Sequence, residues 1–292
     1  MHDGMIKPRA DTPAEHGSAF VENVVNNSGS SFLSAMRFLP RDKRQAMYAL
    51  YSFCREVDDI ADEGGAPEEK QCRLAAWRVE IDRLFEGRAS HPISRALAGA
   101  VARFDLRKVD LLALIDGMEI DAADAVRIAD EADLALYCDR VACAVGRSSN
   151  RIFGVEPAKS DPLAKALGDA LQMTNILRDL FEDAGRDRLY VPLTLLRRGG
   201  VPEDADPYRV LAHPRFPEVC SALLAMTHRK YAEARSILAS CQRGVVRPAV
   251  VMMEVYFAIL RRLEARGWQH LDKPVRVPKL AKIWIVLRYG VF

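Results

Sequence analysis

The chain has 292 residues, 49% of them hydrophobic and 28% charged, so it is long enough to bury a large core beneath a solvated surface. Its formal net charge of +2, with lysine and arginine dispersed along the chain, excludes a dominant nucleic-acid surface. The six cysteines form no CxxC pair and no zinc spacing, which predicts free thiols in a reducing, cytoplasmic compartment.

The N-terminal segment, residues 1–17, contains acids and prolines but no apolar run, so it lacks the pattern of a signal peptide. We expect a disordered leader there, followed by a single domain over residues 18–292. Nearly every later segment has a helical period and strand-like alternation is scarce, which predicts an all-α fold. No stretch approaches the roughly 18 apolar residues of a membrane-spanning helix.

The first acidic cluster lies on a helix predicted from about Asp42 to Ala61. Its apolar residues recur at spacings of three and four, as on a core-facing helix. A second stripe beside that face carries Arg55, Asp58 and Asp62, and the two aspartates are four residues apart. Asp59 falls further round the helix, where solvent exposure is expected. The second stripe therefore lies at the edge of the core, where a cavity can open.

The second acidic cluster has the same helical geometry. Asn175, Asp179 and Asp183 are four residues apart, with Gln172 on the same side of the predicted helix. Like charges at this spacing weaken an isolated helix by about 0.2–0.5 kcal/mol per pair. One such motif is usually only a solvated face, but two indicate carboxylates held for divalent cations. Because Mg²⁺ is typically held by carboxylates and phosphate oxygens, the predicted ligand is a Mg²⁺-bridged diphosphate.

The C-terminal segment PKLAKIWIVLRYGVF mixes Lys279, Lys282 and Arg288 with a run of apolar residues that begins at Ile283. Such a mixture is found in helices that lie in a membrane interface. Apolar residues on several faces of the helix equally indicate a terminal helix packed on the protein. Both interpretations stay open from the sequence.

Three segments resemble the squalene/phytoene synthase family, the head-to-head prenyl synthases. They read SGSSFLSAMRFLPRDKRQAMYALYSFCREVDDIADE, LYCDRVACAVG and QMTNILRDLFEDAGRDRLYVP, and the resemblance runs from about Ser28 to the C-terminus. It implies a single all-α domain with the isoprenoid synthase fold, in which a helical bundle surrounds a central cavity. Within the family, CREVDDIADE and RPAVVMMEVYFAILRRLEARGW are most similar to the bacterial presqualene diphosphate synthases of hopanoid pathways.

The resemblance also implies roles for individual residues. Metal ions would be bound by five acidic side chains, Asp58, Asp62, Asp179, Glu182 and Asp183. The catalytic group around the diphosphates would consist of Arg55, Tyr137, Arg178, Arg188 and Tyr190. Substrate binding would involve Ser31, Phe32, Gln172 and Asn175. The small residues Ala35 and Ala142 lie in segments that resemble cavity walls, so they are predicted to limit the length of the prenyl chain.

The implied reaction condenses two farnesyl diphosphates into presqualene diphosphate and releases pyrophosphate. Mg²⁺ is the implied cofactor, Mn²⁺ is an alternative, and NADPH is not expected. Two alternatives stay open: squalene, dehydrosqualene or phytoene synthesis on the same scaffold, and a non-catalytic assembly factor. The expected partners are farnesyl diphosphate and downstream enzymes of the hopanoid pathway, with peripheral contact to the inner membrane left open and nucleic acid excluded.

Overall fold

The computed structural model describes Met36 and residues 39–291, and its regular structure is almost entirely helical. This confirms the predicted all-α fold class. The predicted leader and the candidate residues Ser31, Phe32 and Ala35 lie outside the described residues. Over the range that is described, no helix combines the length and the apolar character needed to cross a membrane.

The helices are joined mostly by short connections, and two segments are wound as π-helices. In chain order the described elements are α1 (Arg41–Asp62), α2 (Pro67–Phe85), α3 (Pro92–Phe104), α4 (Lys108–Asp121), β1 (Val126–Arg127), α5 (Glu131–Cys138), π1 (Asp139–Cys143), α6 (Ala144–Phe153), α7 (Pro157–Ala184), β2 (Arg188–Leu189), α8 (Leu193–Gly199), α9 (Pro207–Leu211), α10 (Phe216–Ala239), α11 (Arg243–Arg266), α12 (Lys279–Val286) and π2 (Leu287–Val291). The long helix α7 packs against α6, α10, α11 and π1.

α1 matches the helix predicted from the spacing of its apolar residues. It follows Pro40, and Met47, Leu50 and Val57 on the predicted core face are fully buried. Cys54 on the same face is only partly buried and reaches a cavity wall. Because each buried aliphatic side chain of this size contributes about 1.5–3 kcal/mol, the apolar face sets the rotation of α1 and leaves its acidic face at the core edge.

α7 crosses π1 at very close range. A Cβ atom at Gly168 would lie 2.7 Å from Sγ of Cys143 and 2.9 Å from its backbone nitrogen. A glycine is therefore required where the two backbones cross. π1 joins α5 to α6 as one continuous helical run and widens its middle, a distortion that is frequent at functional sites.

A short parallel pairing, which the sequence did not predict, joins β1 to β2. Val126 pairs with Arg188. Asp187, the residue just before β2, has a φ of 54° in the left-handed region. Arg127 donates to both the backbone and the side-chain oxygen of Asp187. The pairing returns the chain after α7 toward the end of α4 and so determines where Arg188 lies.

The connection between α2 and α3 is organised by one buried carboxylate. Glu80 accepts hydrogen bonds from the backbone nitrogen and hydroxyl of Ser90, each at 2.6 Å, and from the backbone nitrogen of His91 at 2.7 Å. The Ser94 hydroxyl also donates to it. Burial by itself raises the pKa of Glu80, but the hydrogen bonds from Ser90, Ser94 and His91 outweigh it and lower the pKa to about 2.

Replacement of Glu80 by glutamine should lower the free energy of unfolding at neutral pH by about 1–3 kcal/mol, because an amide group would face several donors. The folded state holds the Glu80 proton more weakly than the unfolded chain, so the stabilisation is complete above the ordinary pKa of 4.5 and is lost as pH falls toward 2. The difference in free energy of unfolding between wild type and Glu80→Gln should therefore become smaller below pH 4.5. Urea unfolding followed by circular dichroism checks this, with Glu86→Gln at the exposed end of α2 as control. Equal stability of Glu80→Gln and wild type at neutral pH would contradict it.

Candidate active site

The two acidic helix faces open onto one cavity of about 360 Å³. The cavity is lined by all twelve described residues that were predicted to be catalytic, metal-binding or substrate-binding: Arg55, Asp58, Asp62, Tyr137, Gln172, Asn175, Arg178, Asp179, Glu182, Asp183, Arg188 and Tyr190. They come from α1, α5, α7 and the segment that begins with β2. The structure therefore brings these residues together, while their individual roles stay predictions.

The carboxylates of α1 differ in their charge environment. Asp62 accepts from Arg186 at 2.7 Å and from Arg188 at 2.9 Å; burial opposes ionisation, but these two guanidinium groups lower the pKa of Asp62 overall. Burial, followed by the like charge of Asp62, raises the pKa of Asp58 to about 6 despite Arg55 at 3.0 Å. Asp58 therefore carries the less compensated charge of the pair.

The carboxylates of α7 show the same contrast. Asp179 forms a two-point ion pair with Arg178, with nitrogen to oxygen distances of 2.7 and 2.6 Å. Burial, followed by the nearby charge of Asp179, raises the pKa of Asp183 to about 8. Glu182 is the most exposed of the predicted metal ligands, with 72% of its side chain accessible, and lies 3.8 Å from Arg186.

The donor atoms suit a hard divalent cation, although within the described residues no three His, Cys, Asp or Glu side chains are grouped as a ready metal site. Asp58 and Asp183 are carboxyl groups that burial and a like-charged neighbour make hard to ionise, and a bound cation reverses both effects. Oδ1 of Asn175 is buried and has no hydrogen-bond partner among the described residues. Such oxygen donors are what Mg²⁺ and Mn²⁺ prefer.

A buried carboxylate that the sequence analysis missed lies on the cavity wall. Asp121 accepts a hydrogen bond from Tyr190 at 2.6 Å and from Tyr137 at 3.0 Å, and the two rings stack with their centres 4.8 Å apart. Nη2 of Arg188 donates to the backbone oxygens of Asp121 at 2.7 Å and of Ala61 at 3.2 Å. Asp121 thus connects α5 to the segment after α7. Arg186, which lines the same cavity, was also missed.

An apolar pocket of about 220 Å³ shares part of its wall with this cavity. Val141, Val145, Gln172 and Asn175 line both spaces. The walls of the pocket come from π1, α6, α7 and α11, and Ala142 lies among them as predicted from its segment. The polar cavity and the apolar pocket together suit a ligand with a charged head and a long hydrocarbon chain.

A helical bundle with two acidic helix faces on one cavity is the isoprenoid synthase fold, and solved structures share it over most of the chain. A dehydrosqualene synthase superimposes with a TM-score of 0.83 at 24% identity, covering 95% of this chain and 98% of that one. A squalene synthase from Alicyclobacillus acidocaldarius superimposes with a TM-score of 0.79 at 26% identity, covering 87% and 95%.

Residues 25–281 match the model of the squalene/phytoene synthase family, and the chain belongs to that family. A presqualene diphosphate synthase from Zymomonas mobilis is 42% identical over 100% of this chain and 99% of its own length. Another from Rhodopseudomonas palustris is 44% identical over 90% of this chain and 94% of its own. A phytoene synthase from Thermus thermophilus is 34% identical over 85% and 83%.

Proposed function

We propose that this protein condenses two molecules of farnesyl diphosphate head to head into presqualene diphosphate, with release of pyrophosphate and one proton. The observation that carries the proposal is the meeting of two acidic helix faces on one cavity that adjoins an apolar pocket. Two relatives with the name presqualene diphosphate synthase match 100% and 90% of the chain, which supports this product over phytoene.

In this proposal the α1 pair Asp58 and Asp62 and the α7 pair Asp179 and Asp183 hold divalent cations for the two diphosphate groups. Asn175 and Glu182 belong to the same cation site as the α7 pair, and Gln172 lies beside them. Mg²⁺ is the proposed ion and Mn²⁺ the alternative. When bound, the metal neutralises the charge that builds on the departing diphosphate.

The arginines of the cavity supply a second source of positive charge. Arg178 forms an ion pair with Asp179. Arg186 and Arg188 both form ion pairs with Asp62. A planar guanidinium with fixed donors suits phosphate oxygens. We propose that these groups and Arg55 orient the diphosphates and stabilise the leaving group as its bond to carbon breaks.

The remaining walls protect the allylic carbocation that ionisation leaves. The stacked rings of Tyr137 and Tyr190 present electron-rich faces, which attract a cation. Asp121 fixes both hydroxyl groups, so their orientation does not depend on the substrate. The apolar pocket takes up the hydrocarbon chain and excludes water that would otherwise trap the cation.

We further propose that the reaction takes place in the cytoplasm and supplies a hopanoid pathway. Free thiols at all six cysteines are consistent with a reducing compartment. The product keeps one diphosphate group on a cyclopropylcarbinyl carbon, so an enzyme that ionises this diphosphate must follow. A single domain over residues 18–292 and the lack of an NADPH requirement stay predictions.

Purified protein should be incubated with farnesyl diphosphate and Mg²⁺, with and without NADPH, and the lipid product separated by chromatography. We expect a diphosphate ester that yields an alcohol only after phosphatase treatment, in equal amount with and without NADPH. Squalene formed with NADPH would reassign the protein as a squalene synthase, and dehydrosqualene formed without it as a dehydrosqualene synthase. Preferred use of geranylgeranyl diphosphate would indicate phytoene synthesis, and no turnover of either substrate would favour the assembly factor.

Replacement of Ala142 by phenylalanine should shorten the prenyl chain that the protein accepts. Overpacking a filled pocket costs about 1–3 kcal/mol, so kcat/KM for farnesyl diphosphate should fall by at least about fivefold relative to geranyl diphosphate. Steady-state kinetics with both substrates measure the ratio. Ala75→Phe, at an exposed position of α2, is the control. An unchanged ratio in a folded Ala142→Phe protein would show that this wall does not contact the chain.

A further inference from the structure

The C-terminal helix carries a row of exposed apolar side chains. Leu280, Ile283, Trp284 and Leu287 follow the i, i+3, i+4, i+7 spacing of one helix face. They are 80%, 54%, 59% and 48% exposed, and they account for four of the nine large exposed hydrophobic residues in the described part of the chain. Apolar residues scattered singly over a surface need no explanation, but a continuous row marks a contact surface. We name these four residues, three on α12 and Leu287 at the start of π2, the α12 stripe.

The α12 stripe is not the surface that holds the helix on the protein. Ile285 is buried and packs with Val251 and Val255 of α11. These contacts leave the side chains of the α12 stripe 48–80% exposed. The helix therefore packs on α11, as one of the two interpretations of the sequence predicted. Its exposed side is nevertheless apolar.

The charges around the stripe have a single sign. Between Lys273 and Phe292 the sequence contains five cationic residues and no acidic one. Lys279 and Arg288 are exposed, and the Arg288 guanidinium lies 5.6 Å from the centres of both the Trp284 and the Tyr289 rings. An apolar face with a cationic border matches the two parts of an anionic lipid surface, its acyl chains and its phosphate headgroups.

We propose that the α12 stripe docks on the surface of an anionic lipid bilayer, with the helix lying in the plane of the interface. A second copy of this chain fits less well, because two such faces would bring cations against cations. The site lies beside the apolar pocket: Met252 and Tyr256 of α11 line that pocket, while Val251 and Val255 of the same helix support α12. The docking does not depend on the reaction proposed above.

Sedimentation with lipid vesicles tests the docking with the full-length protein. The partition coefficient should be at least about tenfold higher on vesicles that contain phosphatidylglycerol than on phosphatidylcholine alone, since each cation near an anionic surface strengthens binding. High salt should reduce this difference by screening. Tryptophan emission should shift to shorter wavelength on the anionic vesicles, and Trp284→Phe should remove the shift.

Introducing glutamate at both Ile283 and Leu287 should lower the partition coefficient on anionic vesicles by at least about tenfold, because apolar burial is lost and negative charge is added. Val109→Glu is the matched control, since Val109 is 64% exposed on α4, away from the α12 stripe. If the double variant does not fold, Lys279→Glu should weaken binding in the same direction. The proposal is overturned if wild type does not bind anionic vesicles, or if the glutamate variants bind as well as the control. It is also overturned if sedimentation velocity shows that wild type self-associates through this face and the variants do not.

Discussion

Asparagine in place of Asp58 or Asp183 should reduce turnover of farnesyl diphosphate by about 100-fold or more. The pKa values of these two carboxyl groups are raised, to about 6 and about 8, because partial burial and a neighbouring aspartate both oppose ionisation. Each substitution removes a charge that the proposed mechanism uses to hold a cation against the departing diphosphate. Loss of one preorganised electrostatic contact in an active site commonly costs a factor of 100 to 1000, roughly the effect expected here.

The fold should survive both substitutions, because asparagine has nearly the same shape and removes repulsion between neighbouring carboxylates. Initial rates with Mg²⁺ or Mn²⁺, together with melting curves, separate the two effects. Asp105→Asn is the matched control: Asp105 has a φ of 52°, which asparagine tolerates, and its side chain is 92% exposed. Near-wild-type rates in either site variant, or full activity in EDTA, would reject the two-site metal mechanism.

Asparagine at Asp121 should reduce kcat by about 10- to 100-fold, the usual effect of removing a group that orients an active site. Tyr137 and Tyr190 both donate to this carboxylate, one to each oxygen. An asparagine side chain keeps one acceptor and replaces the other by a donor, so one tyrosine must turn or lose its partner. Arg188, which contacts the backbone oxygen of Asp121, should stay in place.

Steady-state kinetics measure the effect of the Asp121 variant, and Asp110→Asn is the matched control for burial. Asp110 is an equally enclosed carboxylate, bound by Arg107 and Arg147 at a distance from the cavity. That control should lower the melting temperature without a selective loss of kcat. Equal kinetic constants for Asp121→Asn and wild type would show that the tyrosine hydroxyls need no fixed orientation.

Much of the candidate site could be predicted because its residues obey a local rule. Residues four apart share a helix face whatever the helix packs against, so the rows containing Asp58 and Asp62, and Asp179 and Asp183, were visible in the sequence. The buried apolar stripe of α1 likewise indicated which side of that helix faces the core. The same reasoning placed Asp59 away from the cavity, and Asp59 is not among the residues that line it. Its carboxylate instead forms an ion pair with Arg55 at 2.5 Å.

Asp121 and Arg186 could not be predicted in this way, because their roles rest on contacts between distant segments. Asp121 is 16 residues from Tyr137 and 69 from Tyr190, so no spacing within one helix connects it to either partner. The pairing of β1 with β2 spans only two residues per strand, too few to leave an alternating pattern.

The sequence by itself therefore determined the all-α class, the two acidic helix faces and the resemblance that indicates their chemistry. Only the tertiary structure decided that the faces share one cavity and which carboxylates remain uncompensated. Asp62 is paired with Arg188, 126 residues further along the chain. For Asp58 on the same face, burial and the charge of Asp62 outweigh the contact with Arg55 and raise its pKa. Helical period is a property of neighbouring residues, but burial and charge pairing depend on which segments the fold brings together.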